Sequence, residues 1–118
     1  MVATKISKSA NKSAKRTSKK SAASKMPFVI VRATSAGCHA GYLVSRKGDE
    51  VVLRDARRLW FWRGAGSLSE LAVYGASKPS ECRFGAKVVD QVVKGWCEII
   101  ACQPAGKAMI EAVPEWRA

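Results

Sequence analysis

Apolar residues are not spread evenly along this chain, and the change falls at Met26-Pro27. Residues 1–26 cycle through Lys, Ser and Ala, with Met1, Val2, Ile6 and Met26 as their only sizeable apolar side chains. That is too little apolar surface to offset the entropy of ordering it, so a disordered arm is expected there. From Pro27 onward the pattern is that of a folded body, residues 27–118. Phe28-Val29-Ile30-Val31 is a continuous β-branched run and predicts a strand. Thr34 to Gly41 reads as a loop with two glycines. Tyr42, Val44 and Arg46 then alternate with Leu43 and Ser45, Lys47-Gly48-Asp49 turns the chain, and Glu50 to Leu53 returns, which predicts a hairpin. Arg58 to Arg63 reads as a further strand, with Leu59 and Phe61 on one face and Arg58, Trp60 and Trp62 on the other.

Ser67-Leu68-Ser69-Glu70 has the spacing of a capping box, in which the Ser67 hydroxyl takes the Glu70 amide and Glu70 reaches back to the Ser67 amide. Leu68, Leu71 and Ala72 form one face of a short helix that Gly75 ends. A loop containing Lys78-Pro79 and Gly85 follows. Val88-Val89 and Val92-Val93 flank Asp90-Gln91 as a strand, plain or bulged, and Lys94-Gly95 turns into a strand from Trp96 to Cys102. Pro104 suits the first turn of a last helix running to Val113, and Pro114 stops it. Short turns dominate, and only residues 67–87 leave room for a parallel crossover. The fold class expected is therefore α+β. It is a small, mainly antiparallel curled sheet or half-barrel with one short central helix and one C-terminal helix, preceded by the basic arm.

Charge sharpens the division. The chain carries +12 in 118 residues, and eight of its cations lie in the acid-free arm: Lys5, Lys8, Lys12, Lys15, Arg16, Lys19, Lys20 and Lys25. The body holds thirteen basic and nine acidic residues, a net +4. The extreme basicity therefore belongs to the arm, and each of its cations can neutralise a nucleic-acid phosphate without regard to sequence. No apolar run reaches the length of a bilayer span, and Ser, Ala and Lys leave no secretory apolar core, so no membrane association is expected. Met26 offers a second start, and the sequence does not choose between it and Met1.

The stretch LWFWRGAGSLSEL, residues 59–71, carries the densest candidate chemistry. A strand, a Gly-Ala-Gly turn and a helix start make Arg63, Gly64, Gly66 and Ser67 a candidate anion or nucleotide contact. Residues 64–69 lack the third glycine of a dinucleotide turn, however, and Glu70 competes for the positive helix end. Arg58, Trp60 and Trp62 make a candidate stacking face for bases. With one face of the strand buried, either the tryptophans or Leu59 and Phe61 should meet solvent. Cys38-His39 pairs a thiol with the one imidazole of the chain, but two further metal ligands or an orienting group are not evident. The four cysteines, Cys38, Cys82, Cys97 and Cys102, form no CxxC and are expected to be reduced thiols. No catalytic constellation, metal or cofactor is expected.

As strings, FVIVRATSAGCHAGYL, EVVLRDARRLWFWRGAGSLSELAVYG, the Lys78–Cys82 segment and the closing EIIAC…W resemble a family of small phage- and prophage-encoded proteins of unknown function. The resemblance covers residues 28–116 and implies a viral or prophage origin and action in a bacterial host cytoplasm; it supplies no site residues. The arm lies outside it and resembles the lysine-, alanine- and serine-rich arms of bacterial histone-like proteins in composition. The residues favour a non-enzymatic nucleic-acid-associated binding module. Two alternatives stand beside it: a phage counter-defence protein that sequesters a small nucleotide signal, and a structural or assembly component of the virion. Oligomeric state is left open.

Overall fold

In the computed structural model, which describes residues 26–117, the body is a six-stranded antiparallel sheet that curls over on itself, with two helices against its outer side. The strands are β1 (Phe28–Ala33), β2 (Gly37–Lys47), β3 (Glu50–Phe61), β4 (Arg83–Phe84), β5 (Val88–Lys94) and β6 (Trp96–Ala101). The helices are α1 (Leu68–Tyr74) and α2 (Pro104–Ala112), and a single 3-10 turn spans Pro79–Glu81. The α+β half-barrel expected from the sequence is the fold of the body. The arm lies outside the described residues, and with it all eight of its cations.

Strand β1 pairs with β2 on one side and β6 on the other, and β2 pairs in turn with β3. The far edge of β3 is shared: β5 covers Glu50 to Ala56 and β4 covers Leu59 to Phe61. Gly95 alone joins β5 to β6, the two ends of the curl. It adopts φ +78°, a conformation open to glycine, donates its amide to Asp49 O at 2.8 Å and accepts from Thr34 N at 3.1 Å. The Trp96 indole N–H donates to Gly48 O at 3.1 Å at the same end.

Each face of the sheet has its own core. Val29, Val31, Val51, Leu53, Ala56 and Val93 fill the inside of the curl. Phe28, Ile30, Leu59, Phe84, Leu71 and Ile110 pack where the helices cover the outside. Strand β1 feeds both, which is why it reads as an unbroken apolar run rather than an alternation.

Several expectations are corrected. The loop placed at residues 34–41 is only Thr34 to Ala36, because β2 starts at Gly37. Its small residues conceal the strand, and Gly41 has no side chain because a Cβ there would lie 3.0 Å from the Ala56 Cα and the Arg54 carbonyl oxygen. The runs at Glu50–Leu53 and Arg58–Arg63 are one strand, β3, which ends at Phe61. Asp55, at φ +53°, is an extra residue against β2, so Tyr42 faces Arg54 while Ala40 faces Arg57. The bulge reverses the alternation: Leu53 and Ala56 enter the curl, whereas Leu59 joins the helical side. The capping box also differs. Ser67 Oγ accepts the Glu70 amide at 3.1 Å, but the Glu70 carboxylate takes the amide of Gly66 at 2.9 Å rather than that of Ser67. Strand β4 lies within the expected loop, and its two residues are held there by Phe84, which is fully buried.

Candidate functional site

The exposed end of β3 is where the chemistry gathers. Trp60 is 55 % exposed. Its partner comes from the other end of the chain: Trp116 stacks on it, ring centroids 4.7 Å apart and 19° from parallel. Trp116 is held by its backbone. Its amide donates to Phe84 O at 2.9 Å, and Glu115 forms a parallel bridge with Phe84. The Arg83 guanidinium lies 5.4 Å from the Trp116 ring centre and 5.8 Å from those of Trp60 and Phe61. Among the described residues Arg83 makes no ion pair with a side-chain carboxylate.

Behind this arrangement is a buried guanidinium. Arg57 is 2 % exposed and donates to four carbonyl oxygens: Gly85 (2.9 Å), Ile110 (2.8 Å), Val113 (2.7 Å) and Phe84 (3.3 Å). It thereby ties β3 to β4 and to the C-terminal end of α2, where carbonyls lack helical partners. Burial lowers its pKa from the ordinary value, with Glu115 opposing.

Two grooves flank Trp116. One, of 360 Å³, runs between Trp60, Trp116, Ala86 and Val88, with Arg58 and Gln91 on its walls. The other, of 590 Å³, holds Arg63, Arg83, Ser80 and Glu81 beside Phe61. Arg63 Nε lies 3.2 Å from Glu81 Oε1, an exposed pair.

The sequence-derived candidates are thus only partly brought together. Arg58 and Trp60 share a groove, but Trp62 does not join them: β3 has ended, and the ring packs, half-buried, against the core under the helices. Of each pair offered for solvent, one member is out and one is in, with Trp60 exposed and Leu59 buried, Phe61 exposed and Trp62 half-buried. At the Gly-Ala-Gly turn, Gly64 packs so closely on Ser77 that a Cβ would lie 2.6 Å from its hydroxyl. The Gly66 amide and the Ser67 hydroxyl are engaged by Glu70. Arg63 points to Glu81 instead of to this turn. Sequence reasoning missed Trp116, Arg83 and Gln91. The closing tryptophan was visible in the sequence, but nothing local links it to Trp60.

Cys38 and His39 project to opposite faces of β2. Cys38 packs with the helical core, and burial raises its pKa despite nearby Arg32. Cys102 is pushed up by burial to about 11. Both are therefore thiols rather than thiolates at neutral pH. His39 is fully buried; its Nε2 is 2.8 Å from Ala36 O, which makes Nε2 the protonated nitrogen, and Nδ1 has no partner among the described residues. Burial, with Arg58 adding to it and the Ala36 carbonyl opposing, lowers the His39 pKa. The unfolded chain takes up this proton near the ordinary imidazole value, about 6.5, while the folded chain takes it up only at lower pH. His39 therefore contributes stability above that pH that is lost as the pH falls. Chemical unfolding at pH 7.5 and at pH 5 is expected to show a smaller loss on acidification in His39→Leu than in the parent.

What the fold and this site define is a small curled-sheet body that presents stacked aromatic rings among arginines. Residues 26–110 match the family model described as Domain of unknown function (DUF6948), and the chain belongs to that family. No curated protein matches the chain, and no solved structure does. Among the described residues no helix is long and apolar enough to cross a membrane.

Proposed function

We propose that the chain is a nucleic-acid-associated binding module without catalytic activity. The basic arm would supply Coulombic hold, and the Trp60–Trp116–Arg83 face would make the body's own contact. The observation that carries this reading is the exposed, stacked tryptophan pair crossed by an arginine free of any side-chain carboxylate among the described residues. Aromatic stacking joined to cationic groups is the chemistry by which proteins hold bases and phosphates without reading sequence. The string resemblance noted above adds a phage or prophage origin and a bacterial cytoplasm as the setting.

The two other readings have less behind them. Sequestration of a small nucleotide through Arg63, Gly64, Gly66 and Ser67 would require groups that Glu70 and Glu81 already engage. Virion assembly would draw on the exposed Val88, Val89 and Val92 of β5, which carry no mark of a partner.

A salt titration tests the proposal. If six to eight arm cations engage duplex DNA, log K against log salt falls with a slope of about −5 to −7. A chain starting at Met26 is expected to lose most of that slope. Equal binding of polynucleotides by the two forms at low salt would remove the arm from the function.

A further inference from the structure

We propose that the two grooves beside Trp116 are a base slot and a phosphate slot, so that the body takes a single-stranded nucleic acid. The inference rests on the reading above and adds which part of a polynucleotide the body holds. The 360 Å³ groove has Trp60, Trp116, Ala86 and Val88 as apolar walls. Arg58 and Gln91 are its polar members, and guanidinium and amide groups are those that pair with base edges. Both grooves fall within the several-hundred-Å³ range usual for small-molecule sites.

A base in a duplex keeps its faces covered by its neighbours in the stack. Only an unstacked base can lay a face on these rings. The second groove offers what the sugar-phosphate chain needs. Arg83 has no side-chain carboxylate to leave among the described residues, and Arg63 is held by Glu81 through an exposed ion pair. Such a pair is weak, so a phosphate can take Arg63 from it with a charge-assisted hydrogen bond. Trp116 is a wall of both grooves, and a nucleotide filling them would straddle it.

The test uses the full-length protein at about 0.3 M salt, where contacts of the arm are strongly screened. Three probes of equal length are compared: a single strand, the same strand with abasic sites, and a duplex. The single strand is expected to bind about 5- to 150-fold tighter than the abasic strand, the value of one stacked base. Trp60→Ala removes that preference. Val88→Asp, which charges the apolar slot without touching the tryptophan pair, also removes it. Glu81→Gln frees Arg63 and tightens both single strands. Equal affinity for base-bearing and abasic strands, or a duplex bound as tightly as the single strand, would overturn the slots while leaving the arm's role intact. No binding to any polynucleotide at low salt would end both readings.

Discussion

Arg57→Ala is expected to lower the free energy of unfolding by about 3–5 kcal/mol, as a shift of the urea midpoint at unchanged slope. The guanidinium serves four carbonyls from two parts of the chain, Phe84–Gly85 and Ile110–Val113, of which that of Phe84 also takes the Trp116 amide. Alanine leaves those oxygens desolvated and opens a void beside Phe84, whose ring the guanidinium approaches to 5.7 Å. Arg57→Met separates the two costs. Methionine keeps most of the packing of the aliphatic stem and none of the hydrogen bonds, and about 2–3 kcal/mol of the loss is expected to remain. Because Phe84 also receives the Trp116 amide, the tryptophan emission of both variants is expected to change before global unfolding. A loss under about 1 kcal/mol for Arg57→Ala would mean that water replaces the donor without cost, contrary to the burial of the site.

Gly106→Ala sets two effects of opposite sign against each other. Alanine is the better helix former by about 1 kcal/mol, and α2 would gain that much in isolation. In the folded body, however, a Cβ at Gly106 would sit 2.0 Å from the carbonyl oxygen of Ala72 and 2.8 Å from that of Leu71. Both obstacles are backbone, so no side chain can swing aside. The helices must part, and the bond from the Gln103 amide to Ala72 O, now 2.9 Å, must stretch. Overpacking wins, with a net loss of about 2–3 kcal/mol expected by thermal or urea unfolding. An unchanged or raised melting temperature would show that α1 and α2 touch less closely than described.

What the sequence disclosed follows from how local the signals are. The Lys47-Gly48-Asp49 turn, the Ser67 cap, Gly75 after α1 and Pro104 in the first turn of α2 each act within a few residues, and each lies where the pattern places it. Strand β2 was concealed because Gly37, Ala40 and Gly41 have little or no side chain to alternate. Trp62 departs from the face the alternation assigns it because period-2 spacing holds only while a strand lasts, and β3 stops one residue earlier. The site itself depends on Trp116 meeting Trp60 through Phe84 and Arg57, contacts between parts of the chain that share no local pattern. Nothing in the sequence sets Arg57 apart from Arg54, Arg58 and Arg63; only packing does.

The bulge at Asp55 makes chain length as binding a constraint as residue identity. Leu53 faces the interior of the curl and Trp60 stands beside the groove because one surplus residue lies between them. Inserting a single residue nearby, with no second bulge to absorb it, would turn Arg57 toward the valines and send Arg58 and Trp60 under the helices, whereas losing the surplus residue itself would restore plain alternation with both faces kept. Variation in length is tolerable instead in Thr34–Ala36 or around Ala86, where no strand phase is carried forward. Related chains that keep this site should therefore hold the interval from Leu53 to Trp60 constant, or shorten it only by losing the bulge, even where its side chains drift.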